Sequence, residues 1–164
     1  MPVIINGSTG ISGTDGSAAT PAVQGTDTNT GIYFPGNDRI AFAEGGVQVG
    51  EFDASGNFQF NSGYGSVATA FGCRAWVNFN GTGTVAIRAS GNVSSITDNG
   101  TGDYTVNFTN AMPDANYCGN ATNDRWPDGI STLNTFQTTS VRNINSNGAG
   151  GLEDRQTVCV AIFR

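Results

Sequence analysis

The chain has 164 residues, a formal charge of −6, 24 glycines and only 12% charged residues, with no histidine and with arginine as its sole basic side chain. That length holds one ordinary domain, or a smaller domain plus an extension, and excludes two large catalytic lobes. Without Lys or His the Schiff-base amine and the usual neutral-pH base are missing, and the seven arginines are scattered singly, so no basic stripe exists to neutralise phosphates and no nucleic-acid partner is expected.

Abundant Gly, Ser, Thr and Asn free the backbone or compete for its hydrogen bonds, which disfavours helices and makes an all-β chain the expectation. The apolar start, Met1-Pro2-Val3-Ile4-Ile5, is too short for a secretory leader, and no run is long enough to cross a membrane, so no membrane insertion is expected. The three cysteines, Cys73, Cys118 and Cys159, are odd in number and too far apart for a zinc knuckle. They read as free thiols of a chain assembled in a reducing compartment, with a single disulfide as the alternative.

Residues 1 to 31 offer Gly, Ser or Thr at nearly every step and only isolated apolar side chains, which predicts an extended attachment arm. Val3, Ile4 and Ile5 at its tip are suited to add as a strand to a partner. Residues 32 to 71 change character. Short strand candidates alternate with Pro35-Gly36-Asn37, Glu44-Gly45-Gly46 and Ala54-Ser55-Gly56-Asn57, each good turn chemistry, and residues 63 to 71 form a joint.

This meander carries Phe34, Phe42, Phe52, Phe58 and Phe60, and a sheet of so few short strands has no second layer of its own to cover the rings. Sister chains around a symmetry axis would cover them, which predicts an intertwined homotrimer. The alternative is a monomer whose meander folds back on the rest of the chain.

Residues 72 to 164 read as a separate antiparallel β-sandwich, with strands over 74–80, 85–90, 93–98, 103–109, 117–122, 132–142 and 157–163. The period of two places Ala75, Val77 and Phe79, then Val85 and Ile87, then Tyr104, Val106 and Phe108, then Val158, Val160 and Ile162 inward.

The thirteen acids are scattered, mostly beside Gly or Asn where they would cap turns, so no catalytic pair is expected and the chain reads as a non-enzyme without a cofactor or metal. Asp98-Asn99-Gly100-Thr101-Gly102-Asp103 has the look of a calcium loop but lacks the distal bidentate Glu, and it reads better as a hairpin. Cys73 has no His to activate it. One loop stands out: Trp126 sits beside Arg125 and is flanked by Asp124 and Asp128, a set that could stack on a sugar ring and bond its hydroxyls. The plainer reading is a Trp that plugs the end of the sandwich.

Two stretches add a resemblance. "RAWVNFNGTGTVAIRASGNVSSITDNGTGDYTVNFTNAMPDANY", Arg74 to Tyr117, resembles a segment of tail-fibre and other virion proteins of tailed bacteriophages. "NTGIYFPGNDRIAFAEGGVQVGEFDASGNFQF" is similar to the Gly-rich module of many phage fibres. The resemblance implies a virion structural protein, a short tail-fibre-like appendage that contacts other virion proteins and a host-surface glycan. A capsid decoration protein and a lectin-like module are the alternatives.

Overall fold

In the computed structural model, residues 4–7, 10–63 and 65–164 are described, and among them the chain is all β, with sixteen strands in antiparallel sheets and no helix. No helix is therefore long and apolar enough to cross a membrane. The chain divides into two compact units, Met1–Ala70 and Phe71–Arg164.

In the first unit, β1 (Ile4–Asn6) pairs with β2 (Gly10–Ser12) as a two-stranded ribbon. A six-stranded meander follows, in the order β3 (Val23–Gln24), β4 (Gly31–Tyr33), β5 (Ile40–Glu44), β6 (Val47–Phe52), β7 (Phe58–Phe60) and β8 (Ala68–Thr69). Its turns use the expected residues. Gly45 and Gly46 both take positive φ in the two-residue β5–β6 turn, where a Cβ would be strained. At the β6–β7 turn, the Asp53 carboxylate accepts the N–H groups of Ser55 and Asn57, each at 2.9 Å, and the Asn57 bond leads in holding its pKa below the ordinary value.

The stretch expected as an extended arm is partly folded onto this sheet. Gly16 and Pro21 form a bridge, the Phe34 N–H donates to the Asp15 carbonyl at 2.8 Å, and Val23–Gln24 becomes an edge strand. The reason is that local turns need no core of their own once a sheet face lies beside them. This segment brings Ala18 against a small core of Tyr33, Ala41 and Ala43, while Pro21 is buried. On the same unit, Glu51 is buried and accepts two bonds from the Arg39 guanidinium, and the Tyr33 hydroxyl donates to Gln48 at 2.7 Å.

The second unit contains two four-stranded sheets. One has the order β10 (Ala86–Gly91), β9 (Cys73–Asn80), β16 (Val158–Phe163), β13 (Cys118–Asn123). The other has the order β11 (Val93–Gly100), β12 (Asp103–Phe108), β15 (Ser140–Ser146), β14 (Ile130–Asn134). Their inward side chains meet in one core containing every strictly alternating position expected on β9, β12 and β16, with Val85 and Ile87 half-buried beside it. The chain changes sheet at Asn92, a left-handed residue with φ 55°, whose side chain donates to the Arg74 and Asn110 carbonyls and accepts the Asn110 N–H. Residues 98 to 103 make the β11–β12 hairpin: Asp98 accepts the Gly100 N–H, and Asp103 pairs with Arg142.

One strand expectation is corrected. Residues 132–142 are not a single strand: β14 ends at Asn134, Thr135 turns the chain with φ 47°, and β15 begins at Ser140. The turn is held by the Gln137 N–H on the Ser140 carbonyl at 2.9 Å, and by the Phe136 ring against Tyr117 at 5.2 Å. It contains neither Gly nor Pro, so composition gives no sign of it.

The core also holds polar groups. Asn143 and Asn145 are fully buried on the inward face of β15; Asn145 donates to Asn143 at 2.8 Å, Asn143 donates to Ser131 at 2.9 Å, and Asn123 donates to Asn145 at 3.1 Å. A buried amide chain satisfied in this way fixes register, because a one-residue slip would leave each amide unpaired. Tyr104 is also fully buried, edge-on to Phe79 at 5.1 Å, with its hydroxyl 2.9 Å from the Gly81 carbonyl and 2.7 Å from Asp154. Burial, then the Asp154 carboxylate, push its pKa far above that of a free phenol.

Two predictions follow from these contacts. A Cβ added at Gly81 would lie 2.5 Å from the Tyr104 hydroxyl and 3.0 Å from the Arg155 carbonyl; Gly81→Ala is expected to destabilise the second unit by about 3 kcal/mol, and an unchanged denaturant midpoint would contradict this packing. Asp103 is held below its ordinary pKa chiefly by the Arg142 hydrogen bond. A depressed carboxylate contributes stability above its unfolded pKa and loses it as pH falls through the folded one. Thermal melts of Asp103→Asn should therefore fall furthest below wild type above about pH 5, and the gap should narrow as the pH drops below the ordinary Asp value of about 3.9.

Candidate functional site

The meander's sheet has two unlike faces. Directly opposed residues of neighbouring strands share a face, and the register runs Val23 to Ile32, Ile32 to Phe42, Phe42 to Gly50, Gly50 to Phe60 and Phe60 to Ala68. A second row runs Ile40 to Phe52 to Phe58. Four of the five expected phenylalanines, Phe42, Phe52, Phe58 and Phe60, therefore lie on one face, and Phe34 lies just beyond the end of β4.

These rings touch one another and remain open. Phe52 and Phe58 approach to 5.3 Å, and Phe58 stacks on Phe60 at 6.1 Å with planes 4° apart. Phe52 is 45% exposed, Phe58 and Phe60 are each 42% exposed, and Ile40 is exposed beside them. Phe42 is half-buried because its ring lies over Gly50, whose hypothetical Cβ would sit 3.9 Å from Phe42 Cδ2 and 3.8 Å from Phe58 Cε2. The result is a flat apolar plate. Contiguous apolar surface of this kind marks an interaction site on a folded protein.

At the start of the chain, Ile4 and Ile5 lie in β1 and pair with Ser12 and Ile11, so one edge of β1 is already taken by β2. Val3, the third residue expected in an attachment strand, lies outside the described residues.

The Trp126 loop joins β13 to β14. Its charged residues are brought together but bond to the scaffold. Arg125 Nε donates to Asp128 at 2.5 Å, and Arg125 Nη1 donates to Glu153 at 2.7 Å. Glu153 also accepts from Asn147 at 2.8 Å and pairs with Arg155. Asp124 accepts the Thr157 N–H at 3.1 Å. The Arg125 hydrogen bond leads in holding the Asp128 carboxyl below its usual range.

Glu153 could not be found from the loop sequence, since it lies far along the chain and reaches the loop only through the fold. Trp126 itself is 91% exposed, so it does not plug the end of its own sheets. What the loop presents is one bare indole on a base whose ions are mutually satisfied. The three thiols are free: Cys73 and Cys118 are exposed and Cys159 is half-buried.

No protein-family model, no curated protein and no solved structure matches the chain.

The two tryptophans differ in exposure, and a neutral quencher reads that difference. Acrylamide should quench most of the accessible emission through Trp126, so Trp126→Phe is expected to leave a single, more protected component. Unchanged quenching in that variant would place the Trp126 ring under cover.

Proposed function

We propose that the chain is a structural component of a tailed-bacteriophage virion: a trimeric, tail-fibre-like appendage whose first unit assembles with sister chains and whose second unit, a β-sandwich, is presented outward. One observation carries this reading. The plate of Ile40, Phe52, Phe58 and Phe60 is exposed on one face of a six-stranded sheet, and burying such side chains stabilises by roughly 1.5 to 3 kcal/mol each. A copy of the same chain supplies a matching plate at equal concentration, and closed rotational symmetry lets each copy cover the next without leaving an open end. The likeness of residues 74 to 117 to phage virion proteins supplies the setting.

The chemistry fits a building part. The acids of the Trp126 loop and the β11–β12 hairpin are engaged by N–H groups or arginines within the chain. A projecting Trp126 on a rigid base suits contact with a host-surface glycan, since an indole offers broad area with little conformational entropy to lose.

Light scattering on the intact chain tests the assembly. The expected mass is three times the 16.9 kDa of one chain, and Phe52→Ser combined with Phe58→Ser should give a folded monomer. A monomeric wild type with a cooperative melt would overturn the trimer. Antibody labelling of particles tests the setting: signal on the tail supports the appendage, and signal across the shell lattice moves the chain to capsid decoration.

A further inference from the structure

The outer face of the β10-β9-β16-β13 sheet carries a second tryptophan in a different setting. Trp76 on β9 pairs with Ala161 on β16, which pairs with Asn120 on β13. The adjoining row is Asn78, Cys159 and Thr122. These six residues line one shallow trough, and Trp76 is 44% exposed beside it. The trough exists because the indole leans the other way, over Gly91 on β10, where a Cβ would come within 2.9 Å of Trp76 Cδ1. Above β16 only small side chains, Ala161 and Cys159, form the floor.

Among the described residues, the side chains of Asn120 and Thr122 make no hydrogen bond, and the Trp76 N–H has no protein acceptor. Asn78 is pinned: Arg88 Nη1 donates to its Oδ1 at 3.2 Å and also to the Phe79 carbonyl at 3.2 Å. That leaves the Asn78 NH2 as a donor already held in place. The wall across the floor from Trp76 thus offers the Asn120 amide and the Thr122 hydroxyl, which both donate and accept as sugar hydroxyls do, and Asn78 adds a donor from the same strand as Trp76.

We propose that this trough is a binding site for a neutral saccharide, with a sugar ring seated on the Ala161 and Cys159 floor beside the near edge of Trp76 and its hydroxyls bonded by Asn78, Asn120 and Thr122. The class follows from what the trough contains and lacks. No ionised side chain lines it, which gives no purchase to a phosphate or a uronic acid. Two strand spacings separate Trp76 from Asn120, roughly 10 Å, which admits one sugar ring but is too narrow for a helix of about 10 to 12 Å diameter. The Trp126 loop shows the opposite pattern, an exposed ring whose polar neighbours are spent on one another. The inference is independent of the trimer, since a monomeric chain would carry the same trough.

Calorimetric titration of the intact chain tests it, with maltohexaose, cellohexaose and mannohexaose as neutral probes and oligogalacturonate as the acidic one. At least one neutral probe should bind with a millimolar or tighter Kd, and Trp76→Ala should weaken it by about tenfold or more. Asn120→Asp replaces an exposed amide with an acceptor-only carboxylate and leaves the core untouched, so it reports on the site even if Trp76→Ala loosens the sheet; it should weaken binding several-fold. Leu152→Ala, an exposed apolar residue of the same unit outside the trough, should leave the affinity unchanged, and Trp126→Ala is measured beside it as the competing site. Silence with all three neutral probes, equal binding of oligogalacturonate, or a loss that follows Trp126 instead of Trp76 would overturn the site, and none of these results bears on the mass measured by light scattering.

Discussion

A β-sheet has two faces, and in the first unit only one of them has cover. The closed face is filled by small groups: Ala41 and Ala43 lie under Ala18, with Tyr33 as the single large ring. Small side chains there let the segment around Gly16 and Pro21 lie close to the sheet. The apolar side chains Ile40, Phe42, Phe52, Phe58 and Phe60 are on the other face, where Ile40, Phe52, Phe58 and Phe60 remain exposed among the described residues. The asymmetry is systematic, because alternation along β5 sends Ala41 and Ala43 one way and Ile40 and Phe42 the other, and along β6 it separates Glu51 from Phe52. Left without cover, a face of this kind carries a risk of aggregation.

The second unit meets the same constraint by a different route. Its two sheets put their apolar faces against each other, so each covers the other and the outer faces are free to be polar. The cost appears at β15, where two of the inward positions are asparagines that must find amide and hydroxyl partners across the strands. Such a network tolerates little rearrangement. A self-sufficient, rigid unit is a good platform for exposed recognition groups, because nothing on its outer face is required for closure.

Much of this was legible in the sequence, for local reasons. The period of two identified the inward residues of β9, β12 and β16, and the Gly-rich turns marked the meander hairpins. What escaped depended on contacts remote in sequence. The break at Thr135 has no Gly or Pro to announce it and is held by Gln137, Ser140 and the Tyr117 ring. Asn143 and Asn145 lie beyond the strand expected over 132–142, and their partners outside β15 come from β14 and β13. The Trp126 loop was legible as a cluster, but Glu153 decides what its charges do, and only folding brings Glu153 there. Trp76 was readable as an outward residue from its neighbours Ala75 and Val77. Its trough was not, because Ala161 and Asn120 come from strands at the far end of the chain.

Glycine shows most clearly how a local reading falls short. Turn chemistry accounts for Gly45 and Gly46, yet Gly50 and Gly91 lie inside strands, where glycine forfeits packing and conformational entropy. In the structure each sits directly opposite an aromatic residue, Gly50 facing Phe42 and Gly91 facing Trp76; the indole fills the space a Cβ would take at Gly91, whereas at Gly50 the Gln59 carbonyl bounds that space at 3.0 Å and the Phe42 ring lies in ordinary contact at 3.9 Å. The ring recovers the lost contact area and shields the bare backbone. At Gly91 the contact draws the indole to the β10 side of its strand. The same pairing of glycine with an aromatic residue therefore has two outcomes: in the first unit a ring in contact beside Gly50, and in the second an indole drawn to one side, which opens the floor beside it.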